Sequence, residues 1–477
     1  MRFARLRNGV LAFDARNLLR LGLLCLLPVA LLGGCSPSGD TSDSGSDTGG
    51  EAAPTGTAPA DQLVLYAPSS FTTTYLVDAS NQPVYQWQSQ YNAGQSAFLL
   101  EDGSLLRPGS INNVAPDNRF VAAYREGHND VFNIGGIIER ISKTSEVTWS
   151  YQYYSDDYAP HHVVTVMPNG NLLLPVWRYH SQDDAIALGR DPKHVSSGGL
   201  WIESLVELHP TPEGAEVVWE WRAADHLVQN FDETKANYGQ LQDHPGRIDI
   251  NWGRGYNVPE DFMHVNSAFY LEEYDQVVLT SYHYSELWVI DHSTTTEEAA
   301  GSTGGRYGHG GELLYRWGNP WVYGHQDTSQ FMLSAVHDPK WVPETRHFIM
   351  YDNNIADPTR SLDGGNSMMV EIAPPIQADG SYTLEGDVYG PDQPVMAADL
   401  GVAASSVGTA QRIASGGTLS CDCTASETIW LDASGAVVAT APLWQNTTQD
   451  GSLTQTFRLV AYSKSDAGVV ALGLGGS

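Results

Sequence analysis

The chain has 477 residues, with 56 Asp and Glu against 25 Lys and Arg, a formal net charge of −31. It lacks the clustered Lys and Arg that phosphate neutralisation requires, which excludes a nucleic-acid binder. Only 17% of residues are charged, while 13 Trp, 23 Tyr, 47 Gly and 25 Pro describe strands joined by turns and exclude a disordered chain.

At the N-terminus, Arg2, Arg5, Arg7, Arg16 and Arg20 precede an apolar run from Leu21 to Leu32, which predicts a secretory signal peptide over residues 1–34. The run is too short to span a bilayer comfortably. It closes on Leu32-Gly33-Gly34-Cys35, which resembles the lipobox of bacterial lipoproteins, whose Cys thiol is lipidated before cleavage. Cys35 is therefore the expected lipidation site. Residues 35–61 read as a low-complexity tether, with no apolar side chain larger than Ala between Ser36 and Ala60 apart from Pro. The expected location is the bacterial cell envelope, held to the membrane by a lipid anchor, either in the periplasm or, as Ser36 suits, at the outer membrane. Removing residues 1–34 takes away five Arg and Asp14 and moves the charge from −31 to −35, so the acidity belongs to the exported part.

From residue 62 to 477 two kinds of segment alternate. One is strand-turn-strand ending in an aromatic: Tyr75 to Trp87, Ile137 to Trp149 and Leu205 to Trp221, then Leu287 resuming to Trp317 after an insertion, with degenerate copies at Met368 and Thr428. The other carries a turn followed by an apolar strand and begins at Ala97, His161, His264, Val336 and Thr409. Asp-Gly, Asn-Gly and Gly-Gly steps bound several strands. Six such units predict an all-β fold, a six-bladed β-propeller with four strands per blade, and Phe457 to Tyr462 would close the ring against the first blade. No stretch keeps helical periodicity over three turns. Cys421 and Cys423 are two residues apart, a spacing expected to close a strained ring, so two structural thiols or a redox-labile pair are predicted in place of a structural disulfide. They are also too few for a zinc site of their own.

In a propeller the innermost strands line a central channel, so residues at their starts converge. The second segment type is predicted to be that strand, and it opens with His161 and His162 in one blade, His264 in the next and His337 in the one after. Converging imidazoles suit a metal site, nucleophilic catalysis or anion binding. Trp149, Trp219, Trp221 and Trp317 recur at strand ends, as inter-blade packing does. The insertion from Asp291 to Gly311 reads as a loop between strands, and the pairs Asp156-Asp157 and Asp183-Asp184 read as solvated turns.

Trp219 to Leu227, His244 to Trp252, Asp261 to Tyr270, Val289 to Pro320 and Val336 to Glu344 resemble the bacterial arylsulfotransferase (aryl-sulfate sulfotransferase) family, as a divergent lipoprotein member. The likeness extends weakly over most of Leu63 to Tyr462. It implies an exported six-bladed propeller that moves a sulfuryl group from an aryl sulfate donor to a phenolic acceptor through a sulfohistidine, with no nucleotide sulfate donor, no cofactor and no resident metal. Carried over by motif, His337 in His337-Asp338 matches the sulfate-accepting histidine, and His264-Val265-Asn266 matches the His-x-Asn channel motif. His162 or His161 matches the channel histidine of the preceding blade. The resemblance thus implies His337, His264 and His162 in catalysis and Asn266 with His161 at the sulfate oxygens.

This chain departs from the family pattern at three places. Thr280-Ser281-Tyr282 stands where members have Ser-Ser-Arg, so Tyr282 replaces an expected sulfate-binding Arg. Val336 replaces the Gln before the nucleophile, and Pro339 stands where Ala is common. His283 and Arg412 are the candidates to supply the missing charge, whose loss is worth about 3 kcal/mol. On so acidic a protein, an anionic donor would need a local positive exception made mostly by the histidines. Two rival functions fit the same channel: a non-catalytic ligand- or partner-binding propeller, and a metal-dependent hydrolase or lyase using these histidines.

Overall fold

A computed structural model describes residues 56–127, 133–252, 258–384, 386–449 and 451–476. The signal segment, Cys35 and most of the tether lie outside the described residues.

Six antiparallel sheets follow one another along the chain and make the six blades of a β-propeller. Each turn-then-strand segment of the sequence supplies the two inner strands of a blade, and each strand-turn-strand segment the outer two. Blade 4 shows the pattern: inner strand Val265–Leu271, then Gln276–Ser281, Glu286–Asp291 and Tyr315–Trp317. Its two middle strands are buried at every position. They read QVVLTS and ELWVID because both faces lie against neighbouring blades, as in any fully covered strand. An outer strand such as Val147–Gln152 is largely exposed and alternates in polarity. Blade 3 has an extra short strand, with Tyr158–Pro160 and Thr165–Val166 both paired to Leu172–His180.

The ring closes where the sequence predicts. Val460–Ser463 is the innermost strand of blade 1 and pairs antiparallel with Gln62–Tyr66. Tryptophans at strand ends tie blade 2 to blade 3, blade 3 to blade 4 and blade 4 to blade 5. Trp149 Nε1 donates to Thr211 O at 2.9 Å, Trp219 Nε1 to Thr294 Oγ1 at 3.2 Å, Trp221 Nε1 to Gly311 O at 2.7 Å and Trp317 Nε1 to Pro391 O at 2.7 Å. The partners of Trp219 and Trp221 belong to the insertion after Asp291, which packs on the outer strand of blade 3. Helices are short, with Arg119–Gly127 the longest among the described residues. No helix among them is long and apolar enough to cross a membrane.

One expectation is corrected. Cys421 and Cys423 form a disulfide, with Cα atoms 5.1 Å apart and both residues fully buried. The strand ends at Asp422, whose Oδ1 accepts from Thr424 N and Ala425 N at 3.1 Å. This turn takes the pair out of regular strand geometry and within bridging distance.

Between blades 3 and 4, His292 lies 2.8 Å from Glu207 Oε2 through Nε2 and 2.8 Å from Asp275 Oδ1 through Nδ1. With a carboxylate on each ring nitrogen, the imidazole must carry both protons. Burial alone would lower its pKa, but the hydrogen bonds and charges of Asp275 and Glu207 raise it to about 9. A folded-state pKa above the unfolded value stabilises fully below about pH 6.5, and the contribution is lost as pH rises through about 9. His292→Gln is expected to cost about 3 kcal/mol at pH 6 and far less at pH 9.5, measured by denaturant unfolding. A penalty that does not shrink over that range would refute the charged pin.

Candidate active site

The inner strands of blades 3, 4 and 5 begin irregularly. Val163 N donates to His161 O at 2.8 Å across His162, a γ-turn with φ 57° at its centre. His264 has φ 50°, Ala335 66° and Asp338 47°. Left-handed backbone at a non-Gly residue costs of order 1–3 kcal/mol and persists where the surroundings enforce it. The pairing register slips between Val265 and Ser267 in blade 4 and between His337 and Lys340 in blade 5. Such bulges re-aim side chains.

Here they turn the histidines toward one another. The ring centroids of His162 and His264 are 4.6 Å apart, those of His161 and His162 4.9 Å, and those of His264 and His283 5.2 Å. Tyr282 joins the group, 5.5 Å from His264 and 5.5 Å from His337. Phe457, just before the closing strand, packs 5.1 Å from His162 and 6.3 Å from His337.

Each imidazole is oriented by a partner behind it. Asn353 gives its two N–H groups to Ala404 O at 2.8 Å and Val407 O at 3.0 Å, so its Oδ1 must accept from His337 Nδ1 at 2.6 Å. The His337 proton therefore sits on Nδ1, and no described residue bonds Nε2, which keeps its lone pair. His264 Nδ1 donates to Asp261 Oδ2 at 2.5 Å, and the same oxygen accepts from Tyr124 O–H at 2.6 Å. Asp261 Oδ1 accepts from Trp177 Nε1 at 3.1 Å. His161 Nε2 donates to Glu203 Oε2 at 2.9 Å, and Glu203 Oε1 accepts from Val265 N at 2.9 Å. With that proton placed, His161 Nδ1 accepts from His162 Nδ1 at 2.6 Å.

Burial dominates the electrostatics. Desolvation, with a smaller push from His264, lowers His337 to about 4 and His283 to about 3, and holds His162 well below its ordinary value. Burial would raise Asp261, but the adjoining His264 overrides it and keeps that carboxyl below the usual range. The expected patch of positive charge made by histidines is thus corrected: His337, His283 and His162 are neutral at pH 7, because a buried imidazole sheds its charge sooner than a solvated one.

The structure brings together His161, His162, His264, Tyr282, His283 and His337, and leaves two predicted site residues out. Asn266 lies behind the cluster, its Nδ2 donating to Val336 O at 2.7 Å and its Oδ1 accepting from Thr280 Oγ1 at 2.7 Å. Its amide bridges blades 4 and 5 beside His337 and is occupied at both ends. Arg412 is committed elsewhere: its guanidinium pairs with Glu371 and donates to Thr418 Oγ1 at 2.8 Å. Neither Tyr124, Glu203 nor Asn353 stands out in the sequence, since each reaches the cluster from another strand or helix. Asp261, three residues before His264, could have been found as an acid beside a candidate base. Among the described residues no group of three or more His, Cys, Asp or Glu is arranged to hold a metal ion.

Residues 140–370 match the arylsulfotransferase (ASST) family model. The matched stretch contains every histidine of the cluster together with Glu203, Asp261 and Asn353, and links the chain to that family. No curated protein matches. Among solved structures the similarity is low. A protein of unknown function from Bacteroides caccae is 9% identical with a TM-score of 0.41, covering 84% of this chain and 99% of that one. A putative 6-phosphogluconolactonase from Bacteroides fragilis is 8% identical with a TM-score of 0.38, covering 84% and 98%.

Nitrogen NMR of the His337 ring is expected to show the neutral Nδ1–H form at pH 7 and a midpoint near 4. A midpoint near 6.5 would overturn the desolvated setting. Asn353→Ala is expected to cost about 1–3 kcal/mol, the cost of a buried hydrogen bond left half made.

Proposed function

We propose that the protein transfers a sulfuryl group from an aryl sulfate donor to a phenolic acceptor through a sulfohistidine at His337. The observation that carries this reading is the neutral, buried His337, its proton held on Nδ1 by Asn353 Oδ1 at 2.6 Å and its Nε2 lone pair available, in the stretch that matches the arylsulfotransferase family. In the first half-reaction Nε2 attacks sulfur as the bond from sulfur to the aryl oxygen breaks, and the leaving phenolate takes a proton from His264. In the second the acceptor phenol returns a proton to His264 as its oxygen takes the group and frees His337. Asp261 holds the Nδ1 proton of His264 and balances the charge that ring carries before it gives up its Nε2 proton and after it regains one from the acceptor, as the carboxylate of a triad does. His162, oriented by His161, and His283 line the space for the sulfate oxygens.

Tyr282 gives this site a different balance from one built on Arg. Its one O–H proton is given to Ser405 O at 2.8 Å, so Tyr282 brings the site a phenol ring and no full charge. The full charge that an Arg would set beside the transferring group is then missing, and turnover is slower than with an Arg in place. We also infer a lipid anchor at Cys35 and a position in the bacterial envelope, with residues 35–61 as the tether.

The test is nitrophenol release from 4-nitrophenyl sulfate with and without phenol, and with and without chelator. Release that requires the acceptor and survives chelator is expected, together with its loss in His337→Ala and a fall of about 10²–10⁴-fold in His264→Gln. Because only neutral His337 attacks, kcat/KM should rise with pH through about 4. Full transferase activity in His337→Ala would sink the mechanism. Loss with chelator would point to the metal enzyme, and silence in every arm to a binding protein.

A further inference from the structure

The inner strands carry the histidines at their starts, and at their far ends a cavity of about 490 Å³ opens. Phe98 of blade 2, Thr165 of blade 3, Tyr270 of blade 4, Lys340 and Trp341 of blade 5 and Arg458 ahead of blade 1 line it. Contributions from five blades place it on the propeller axis. Along a strand rising about 3.3 Å per residue, it stands roughly 10–20 Å from the imidazoles.

This end is built for charge. Arg458 Nη1 donates to Asp338 Oδ1 at 3.1 Å, the Lys340 ammonium donates to the same carboxylate, and Thr409 O–H donates to its other oxygen. Two cations on one carboxylate leave a positive charge in excess. Burial lowers the Lys340 amine to about 8, against the pull of Asp338, so it remains mostly protonated at neutral pH. The Arg458 side chain is only 5% exposed, its Cζ lies 4.5 Å from the Phe98 ring centroid, and its Nε has no hydrogen-bond partner among the described residues. Trp341 Nε1 is likewise buried without one. Buried donors left unmatched are uncommon and costly. At the rim Glu272 and Glu273 are exposed, and Glu273 Oε1 is turned aside to accept Tyr274 O–H at 2.6 Å. That acidic rim disfavours polyanions.

We propose that this cavity binds a singly charged aromatic acid, a carboxylate or sulfonate on an aryl body, independently of the histidine cluster. Arg458 and Lys340 take the anionic group, while Phe98 and Trp341 flank the ring. Naphthalene-2-sulfonate is the probe, since its sulfur is bound to carbon and cannot be transferred. Calorimetry on the exported protein should show saturable binding that weakens by about tenfold or more in Lys340→Gln, the loss of one charge-assisted contact. It should stay within about twofold in His337→Gln, and neutral naphthalene-2-methanol should bind about tenfold more weakly. Arg458→Gln should behave like Lys340→Gln; should it fail to fold, the Lys340 side chain, 27% exposed, still carries the test. Absence of saturable binding to the wild type, or binding unchanged by Lys340→Gln, overturns the proposal whatever the transferase assay shows.

Discussion

The structure depends on one strand pairing, that of Val460–Ser463 with Gln62–Tyr66, which joins the last blade to the first. A propeller has a channel only if its ring is shut, and only a shut ring brings the starts of separate inner strands together. The closing segment does more than seal. Phe457 and Leu459 pack with Val64 and Tyr66 in one apolar cluster, Phe457 reaches His162 and His337, and Arg458 reaches Asp338. The same few residues therefore hold the ring closed and furnish both ends of its axis.

Closure also dictates the chemistry by removing water. Solvated imidazoles would be partly charged near neutrality and would make a diffuse anion attractor on an otherwise acidic protein. Burial makes His162, His283 and His337 neutral, and the imidazoles are oriented by groups behind them: Asn353 for His337, Asp261 for His264, Glu203 for His161. What desolvation takes from electrostatic attraction it returns as an available lone pair on His337. The left-handed residues at His162, His264, Ala335 and Asp338 are the conformational cost of this arrangement, borne by the sheet on either side.

The two ends of the axis are unlike. One is a set of buried imidazoles around Tyr282, the other a pair of cations beside aromatic rings, and Asp338, next to His337 in sequence, belongs to the second through Lys340 and Arg458. The strong negative charge of the chain is thus no guide to either end. Positive charge is concentrated on the axis by pairing Lys340 and Arg458 with a single buried carboxylate.

The blade count, the division into inner and outer strand pairs, the closing strand and the shared position of His161, His162, His264 and His337 are all determined by the sequence alone. A two-part repeat with turn residues at its joints has few other ways to bury its strands. Most partners of those histidines lay beyond it: Glu203, Tyr124 and Asn353 come from distant parts of the chain and share no spacing with the residues they orient, while Asp261, three residues before His264, is the exception. Asn266 and Arg412 have the right chemistry by type, yet hydrogen bonds to Val336 and Thr280 and an ion pair with Glu371 commit them elsewhere. The turn at Asp422 brought Cys421 and Cys423 within bridging distance despite an unpromising spacing. Local pattern specified the strands and their order; protonation, tautomer and the company each side chain keeps were decided by burial, which exists only once the ring is closed.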